Sequence, residues 1–287
     1  MPESHPFIRR LRESQTRASS SICLGLDPRP AQHGTSGSTI AAVVDDYKML
    51  LDAVADDVAA VKPQVAFFEA HGLAGLQALS DVMHHARSLG LPVVLDAKRG
   101  DIGSTAKAYA DAYLQAGDFE ADALTVNPFL GFDTLEPFVD QVASSTKGIF
   151  VLVATSNPGR ADIQDAQPFQ PTGSQTVSEA LAAWVQRTNE RLGFPAGTYG
   201  PIGAVVGATT GTTLKTMRAA MPNTPLLVPG YGAQGASAAD ASQAFDQDGG
   251  GALINASRSL LYPEGAFNLE ASRRATTAMK QAFTAAP

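Results

Sequence analysis

Eight short apolar stretches, spread along the 287 residues, constrain the fold of this chain more than any other feature. Each is followed by a segment in which apolar residues recur with helical spacing. Regular alternation of strands and helices predicts a parallel sheet covered by helices, and eight such units favour a closed (β/α)8 TIM barrel over an open, doubly wound sheet. The predicted strands are residues 21–26, 59–67, 91–95, 123–126, 148–153, 202–207, 226–228 and 252–254.

The segments outside the strands predict one barrel domain over residues 1–287. A basic amphipathic helix over 5–18 is expected to cover one end of the barrel. The polar segment at about 157–176, after the fifth strand, is too long for an ordinary connection and predicts a lid or an insertion. The other predicted helices are 40–55, 73–89, 105–115, 134–142, 177–191, 238–247 and 264 to the end.

Composition narrows the classes of function. The net charge of −7 disfavours nucleic acid or an anionic membrane as a partner, and no apolar stretch approaches the 18 residues of a membrane span. The single cysteine, Cys23, cannot form an internal disulfide, which fits a reducing cytoplasm, and we expect it to be a small buried residue. No histidine or cysteine spacing indicates a metal site.

The third strand ends in an unusual cluster of charges. Residues 91–105 read LPVVLDAKRGDIGST, so an apolar run is followed by Asp96, Lys98, Arg99 and Asp101. The two-residue spacing of Asp96 and Lys98 places both side chains on one side of a strand. Four charges at the carboxyl end of a buried strand indicate a functional site, because barrel enzymes carry their reactive groups at these ends.

Other strand ends contribute polar groups as well. Asp27 follows the first strand, and Lys62 lies inside the second, where a buried lysine requires a partner. The loop after the seventh strand is rich in glycine, and Arg258 follows the eighth strand. Exposed backbone N–H groups and a guanidinium in this position predict a phosphate site, which TIM barrels commonly hold after strands seven and eight.

These motifs resemble one enzyme family. DAKRGDIGST resembles the D-x-K-x-x-D-I-x-x-T signature of the orotidine 5′-phosphate decarboxylases. VKPQVAFFE, TSNPG, VVGAT, VPGYGAQG and NASRSLLY follow in the order of the longer bacterial subclass, over the whole chain. The resemblance implies a carboxy-lyase that converts orotidine monophosphate to uridine monophosphate and CO2 in pyrimidine biosynthesis. It implies no metal and no organic cofactor.

The resemblance also assigns residues. It implies a catalytic tetrad of alternating charge, with Lys98 as proton donor to C6, formed by Lys62, Asp96, Lys98 and Asp101. It implies substrate contacts from Asp27 and Lys62 to the ribose, from Ser156 to the pyrimidine, and from Pro229, Gly230, Gln234 and Arg258 at the phosphate. It implies a homodimer in which Asp101, Ile102 and Thr105 reach the partner's site. Ser257 replaces a glycine of shorter members, and either Thr155 or Ser156 faces the base.

Three other activities fit parts of the pattern. A related barrel that decarboxylates or condenses keto-sugar phosphates would require Mg²⁺, and Glu69 is the one extra carboxylate near the second strand. An aldolase would use Lys98 to form a Schiff base. A non-catalytic protein that binds nucleotide phosphates would need the phosphate site alone.

Overall fold

The computed structural model describes residues 4–34, 39–167, 176–195, 197–208, 211–232 and 235–284. Within these residues it contains the eight predicted strands, all paired in parallel, so the (β/α)8 prediction is confirmed. The strands are β1 Ile22–Leu26, β2 Ala60–Pro63, β3 Val94–Arg99, β4 Ala123–Val126, β5 Gly148–Ala154, β6 Ile202–Val206, β7 Leu226–Pro229 and β8 Ala252–Ala256.

The strands form a nearly closed barrel. Their hydrogen-bonded order is β2-β1-β8-β7-β6-β5-β4-β3, and two isolated bridges, Val61 to Val93 and Gln64 to Asp96, connect β2 with β3. All strand ends of one polarity therefore meet at one rim. We call the last residues of the strands and the loops after them the carboxyl rim. The opposite end, with the loops before the strands, is the amino rim.

Helices cover the outside of the barrel because each longer helix carries an apolar stripe. In α2, for example, Val43, Tyr47, Leu50 and Val54 are buried. The helices are α1 Pro6–Ala18, α2 Ile40–Val54, α3 Val65–Glu69, α4 Gly72–Ser88, α5 Gly103–Leu114, α6 Glu136–Ala143, α7 Arg160–Ile163, α8 Val177–Arg191, α9 Gly211–Ala220, α10 Ala238–Ser242, α11 Arg258–Leu261 and α12 Leu269–Thr284; Pro30–Gln32 and Phe132–Leu135 are 3-10 turns.

The N-terminal helix covers the amino rim, as predicted. The Phe7 ring lies over the first residue of β5, where a Cβ on Gly148 would come within 2.4 Å of the ring. The same ring packs edge-on against Phe150 at 6.2 Å between centroids. Cys23, the second residue of β1, is fully buried, and burial raises the pKa of its thiol to about 12. It is the small buried residue that the sequence predicts.

Among the predicted boundaries that are wrong, the end of the second strand and the start of the last helix differ for local reasons. The second strand ends at Pro63 instead of residue 67, and α3 begins at Val65. Val65 and Phe68 are both buried and lie three residues apart, which is the period of a helix and not of a strand. The last helix begins at Leu269 instead of residue 264, because Gly265 has a φ of +88° that a helix cannot contain.

Two further findings concern the predicted insertion and the membrane. The segment at 157–176 contains the short helix α7, while residues 168–175 lie outside the described part of the chain. Among the described residues, no helix combines the length and the apolar composition that crossing a bilayer requires.

Candidate active site

Asp96, near the middle of β3, is the centre of a saturated hydrogen-bond cluster. Its carboxylate accepts hydrogen bonds at Oδ2 from Lys62 Nζ at 2.7 Å and Gln64 Nε2 at 2.9 Å. At Oδ1 it accepts from Lys98 Nζ at 2.6 Å and Thr125 Oγ1 at 3.0 Å. Asp96 is only 7% exposed, so these four donors replace the water that a carboxylate normally binds.

The electrostatics of the cluster keep both central charges in place. Burial acts to raise the pKa of Asp96, but the neighbouring Lys62 and Lys98 outweigh it and hold that pKa well below its usual range. Burial acts to lower the pKa of Lys62, but Asp96 and then Asp27 outweigh it and raise that pKa. A carboxylate and an ammonium therefore face each other in an almost dry environment at neutral pH.

Lys98 reaches Asp96 through an irregularity in β3. The predicted strand ends at residue 95, whereas the observed strand continues to Arg99 and includes the charges. Lys98 has a φ of +48°, and the register of β3 against β4 shifts between Leu95 and Arg99. Thr125 Oγ1 accepts a hydrogen bond from the Lys98 backbone N–H at 2.9 Å, which holds this conformation. A bulge of this kind redirects a side chain, so simple strand alternation does not explain the pairing.

Asp101, the fourth member of the predicted tetrad, lies apart from the cluster in this chain. Its Oδ1 accepts a hydrogen bond from the Ile102 backbone N–H at 2.7 Å, and within the described ranges it forms no ion pair. The chain approaches β4 closely here, since a Cβ on Gly100 would lie 2.7 Å from the Asn127 carbonyl oxygen. Ile102 and Thr105 are exposed beside Asp101.

A cavity of about 170 Å³ opens at the carboxyl rim between β1, β2, β7 and β8. Lys62 lines this cavity and also binds Asp96, so the charged cluster adjoins the cavity. Gly230 has a φ of +109°, which permits the turn after β7 and is unfavourable for other residues. The lining comprises five predicted site residues, Asp27, Lys62, Pro229, Gly230 and Arg258, together with Arg29, Tyr231, Asn255, Ala256 and Ser257.

Comparison with known proteins identifies the family. The model of the orotidine 5′-phosphate decarboxylase / HUMPS family matches residues 20–265. The chain belongs to this family. A Deinococcus radiodurans protein named orotidine 5′-phosphate decarboxylase is 45% identical over 280 residues, which cover 98% of this chain and 97% of the relative. A Rhodopirellula baltica protein of the same name is 44% identical over 89% of this chain and 88% of the relative.

Solved structures agree with the barrel and the family. The structure of Leishmania donovani OMP decarboxylase is 36% identical in sequence and superimposes with a TM-score of 0.79. The match covers 97% of this chain and 98% of that chain. The likeness therefore extends over the whole barrel, including the carboxyl rim where the charged cluster lies.

The loop after β5 holds the two residues that the family resemblance left open. Thr155 Oγ1 donates a hydrogen bond to Asn157 Oδ1 at 2.6 Å and accepts one from Gln164 Nε2 at 2.8 Å, so its hydroxyl is engaged. Ser156 packs against Gly207, where a Cβ would lie 2.8 Å from the serine Cβ. Ser156 is not among the residues that line the 170 Å³ cavity. Its contact with a base therefore stays a prediction.

Two other predicted phosphate-loop features have different outcomes. Ser257, which replaces the glycine of shorter family members, fits because β1 carries Gly25 beneath it; a Cβ on Gly25 would lie 1.8 Å from Ser257 Oγ. Gln234 lies outside the described residues.

Sequence reasoning missed four polar residues of the site: Arg29, Gln64, Thr125 and Asn255. Thr125 is a polar residue in the apolar strand β4 and is 1% exposed. The argument that a buried polar group requires a partner, applied above to Lys62, also applies to Thr125. Gln64 follows Lys62 by two residues, so the spacing argument that the sequence analysis applied to Asp96 and Lys98 could also have been applied to it.

A larger cavity lies elsewhere in the described part of the chain. It measures about 690 Å³ and lies at the amino rim, where Arg12, Asp246 and Lys280 line it. No predicted site residue borders it, and barrel enzymes of this type react at the other end. We therefore place the candidate active site in the smaller cavity. Among the described residues, no group of three or more histidine, cysteine or acidic side chains is arranged to hold a metal ion.

Proposed function

We propose that this protein removes CO2 from orotidine 5′-phosphate and releases uridine 5′-phosphate. One observation carries the proposal: the Asp96 carboxylate lies between two ammonium groups, at 2.7 and 2.6 Å, beside the cavity that Arg258 borders. A protein that only binds nucleotides has no use for this buried arrangement of alternating charge, which is costly to desolvate.

The chemistry requires a cationic group next to C6, the carbon that loses CO2. When the bond between C6 and the carboxylate breaks, its electron pair stays on C6, where no conjugated carbonyl accepts it. The Lys98 ammonium stabilises this pair as it forms and then transfers a proton to C6. The lysine side chain is 44% exposed, so the resulting amine regains a proton from solvent before the next turnover.

The other residues of the cluster position Lys98 and bind the sugar. Asp96 fixes the ammonium at 2.6 Å, and Gln64 and Thr125 hold Asp96 in turn. Asp27 and Lys62 bind the ribose hydroxyls; in support, Asp27 Oδ1 is buried at the cavity without a hydrogen-bond partner. This atom is an acceptor that a sugar hydroxyl satisfies.

The remaining substrate contacts are those that the family resemblance implies. Arg258, Gly230 and Pro229, which line the cavity, bind the phosphate. Gln234, which lies outside the described residues, is given the same role on the family resemblance alone. Ser156, which follows β5 at the carboxyl rim, contacts the pyrimidine, as the family resemblance implies. Binding energy from the phosphate, remote from C6, contributes to positioning of the reacting carbon.

The active unit of the proposal is a homodimer. Four apolar side chains after β3 and β4 are strongly exposed: Ile102 by 64%, Phe129 by 73%, Leu130 by 52% and Phe132 by 38%. A patch of this kind next to a candidate site indicates an interface. In the dimer Asp101, with Ile102 and Thr105, enters the partner's site and completes the tetrad.

Mixing two inactive variants tests this arrangement. Lys98→Ala and Asp101→Ala are each expected to be inactive alone. In a mixed dimer one site regains both Lys98 and the partner's Asp101, so equal amounts should recover about a quarter of wild-type activity. If mixing restored no activity although the subunits had exchanged, Asp101 would belong to the active site of its own chain.

The reaction itself is tested with protein treated exhaustively with a chelator. We expect loss of the pyrimidine absorbance of orotidine monophosphate and release of one CO2 per uridine monophosphate formed. Activity that disappears on chelation would favour the Mg²⁺-dependent alternative; Glu69, the extra carboxylate for that chemistry, instead binds Arg99 at 2.6 Å. Tight binding without CO2 release would favour a non-catalytic binder.

Borohydride distinguishes the aldolase alternative. A Schiff base requires a neutral amine, whereas the Lys98 nitrogen forms an ion pair with Asp96. We expect no covalent adduct when borohydride is added with substrate. We further propose that the enzyme acts in the cytoplasm, in pyrimidine biosynthesis; the one cysteine, reduced and buried, supports a reducing compartment.

A further inference from the structure

Arg29 is held in a rigid segment at the mouth of the candidate site. It lies between Pro28 and Pro30, after β1, and Pro30 begins the 3-10 turn Pro30–Gln32. Its backbone has φ −135° and ψ 82°, outside the α region that a following proline disfavours. Prolines on both sides reduce the freedom of this backbone, so presenting the arginine to a ligand costs little additional entropy.

The side chain of Arg29 is oriented but unsatisfied. Its guanidinium carbon lies 5.2 Å from the centre of the Phe67 ring, which supports one face of the group. Nε is buried and has no hydrogen-bond partner, and within the described ranges Arg29 forms no ion pair. A buried donor without a partner is costly, and an acceptor brought by a ligand removes that cost.

The other groups of the cavity indicate what that acceptor is. Arg29, Asp27 and Arg258 all line the same 170 Å³ space. Asp27 Oδ1 and Arg29 Nε are both unpartnered, so these opposite charges do not satisfy each other. Asp27 suits a hydroxyl, and Arg29 suits an anion; a sugar phosphate carries both groups side by side.

Charge balance supports an anionic partner for Arg29. The chain carries a net charge of −7, so a phosphate dianion must be held by local cations. Lys62, the ammonium among the described lining residues, is already held by Asp96 at 2.7 Å. Without Arg29, the Arg258 guanidinium would be the one positive group left for the phosphate among the described lining residues, and Asp27 would oppose it.

We propose that Arg29 is a second phosphate-binding residue, which grips the substrate phosphate together with Arg258. The proposal rests on the proposed function in one respect, because it takes the ligand to be a nucleotide. It adds a specificity determinant: affinity for the phosphorylated ligand, and not for the nucleoside, depends on the residue between the two prolines.

Binding to the full-length protein tests the role of Arg29. Uridine monophosphate is titrated by calorimetry, inorganic phosphate is measured as its competitor, and uridine is titrated by NMR at millimolar concentration. Arg29→Met keeps most of the side-chain length without the charge. We expect this substitution to lower the affinity for uridine monophosphate and for inorganic phosphate by about 10- to 100-fold, as loss of a charged hydrogen bond predicts. The affinity for uridine should fall by less than about 2-fold.

Two variants accompany the test. Arg29→Lys retains the charge but not the planar fork, so it should recover only part of the phosphate affinity. Arg187→Met removes the same charge from an exposed position on α8 and should leave every affinity unchanged. Thermal melting of each variant checks that Arg29 is not needed for folding.

Each outcome decides a separate question. If Arg29→Met lowered the affinities for uridine and uridine monophosphate equally, Arg29 would only support the loop. If the phosphate affinity did not change, Arg29 would make no contact with the phosphate. Either result overturns the proposal and leaves the decarboxylase function intact. Conversely, if Arg29 proved necessary for the preference for uridine monophosphate over uridine but the wild-type protein released no CO2, the proposed function alone would be overturned. Wild-type protein that binds no uridine monophosphate would overturn both.

Discussion

The two rims of the barrel both bury charged groups, but they satisfy them differently. At the amino rim the Arg218 guanidinium is almost fully buried, and Tyr199 donates a hydrogen bond to Asp246 at 2.6 Å beside it. Arg218 donates to the backbone carbonyl oxygens of Met221, Thr224, Ala244 and Gly251. All the acceptors of the Arg218 guanidinium in this network are therefore backbone atoms of the chain.

At the carboxyl rim the cluster around Asp96 is equally complete, but its surroundings are not. The charged side chains that retain a buried, unpartnered atom are Asp27, Arg29 and Arg99, and among the described residues all of them lie at this rim. Buried polar groups are normally satisfied, so the exceptions indicate where a ligand completes the structure. At the amino rim the Arg218 network is satisfied by the chain, whereas at the carboxyl rim unsatisfied charged atoms lie near the satisfied cluster around Asp96.

The largest expected effect tests the catalytic half of this comparison. Lys98→Ala should lower kcat by about 10⁴-fold or more, because it removes both the charge at C6 and the proton donor. Affinity for uridine monophosphate should stay within about 3-fold, since the phosphate is bound elsewhere at the rim. Steady-state kinetics and calorimetry measure the two quantities; decarboxylation at a near wild-type rate would remove Lys98 from the mechanism.

The second effect concerns stability and function together. Asp96→Asn leaves the Lys62 ammonium, whose side chain is 6% exposed, without its carboxylate. The free energy of unfolding should fall by about 3 kcal/mol, and activity should be lost. Urea denaturation measures the change.

A matched surface variant provides the control for Asp96. Asp111→Asn breaks the exposed Lys107–Asp111 pair on α5, one of the ion pairs that contribute little. It should change stability by less than about 0.5 kcal/mol. If both variants lost a similar amount of unfolding free energy, the buried ion pairs of Asp96 would be no more important for stability than an exposed pair.

The third effect separates the rims. Arg218→Met leaves several buried carbonyl oxygens at the amino rim without a donor, so the free energy of unfolding should fall by about 2 to 4 kcal/mol. The KM and kcat of the folded fraction should not change, because this network serves only the fold. Arg191→Met, which breaks the exposed pair with Glu136 at 3.0 Å, should cost less than about 1 kcal/mol. A large change in KM for Arg218→Met would contradict the division between the rims.

The barrel could be predicted from sequence because parallel strands are buried on both faces and read as continuous apolar runs. For the same reason, charges directly after the run at 91–95 stood out. The β2 boundary could not be predicted, because VAFF fits a strand and a helix equally well over so short a run.

The unpredicted parts of the site depend on contacts between distant strands. The positive φ of Lys98 is held by Thr125 on β4, and no local pattern in β3 indicates it. Arg29 follows Asp27 by two residues in a proline-rich loop, where a charge is most often solvated; only its position in the cavity distinguishes it. Local sequence thus revealed the charges that follow a predicted strand directly, such as Asp27 and Asp96, but not Arg29.

The smallest effect tests a property that the two rims share. His5 at the amino rim is 4% exposed and His33 behind the carboxyl rim is 1% exposed. Burial lowers the pKa of each, although Asp46 Oδ2, 2.7 Å from His33 Nδ1, acts to raise that of His33. The unfolded chain, with a histidine pKa of about 6.5, then binds more protons than the folded chain, so stability should fall as the pH drops from about 7 towards 5.

His5→Asn, which retains a side chain able to cap α1, and His33→Gln should each reduce this acid-induced loss of melting temperature, and the double variant should remove most of it. The carboxylates with lowered pKa values, Asp96 among them, lose their contribution only at lower pH, because their stabilisation persists above the unfolded carboxyl pKa of about 4. Melting temperatures between pH 7.5 and 5.5 therefore isolate the histidines. A double variant that kept the full pH dependence would show that the acid sensitivity arises from other groups, and that these buried rings are not neutral residues of the fold.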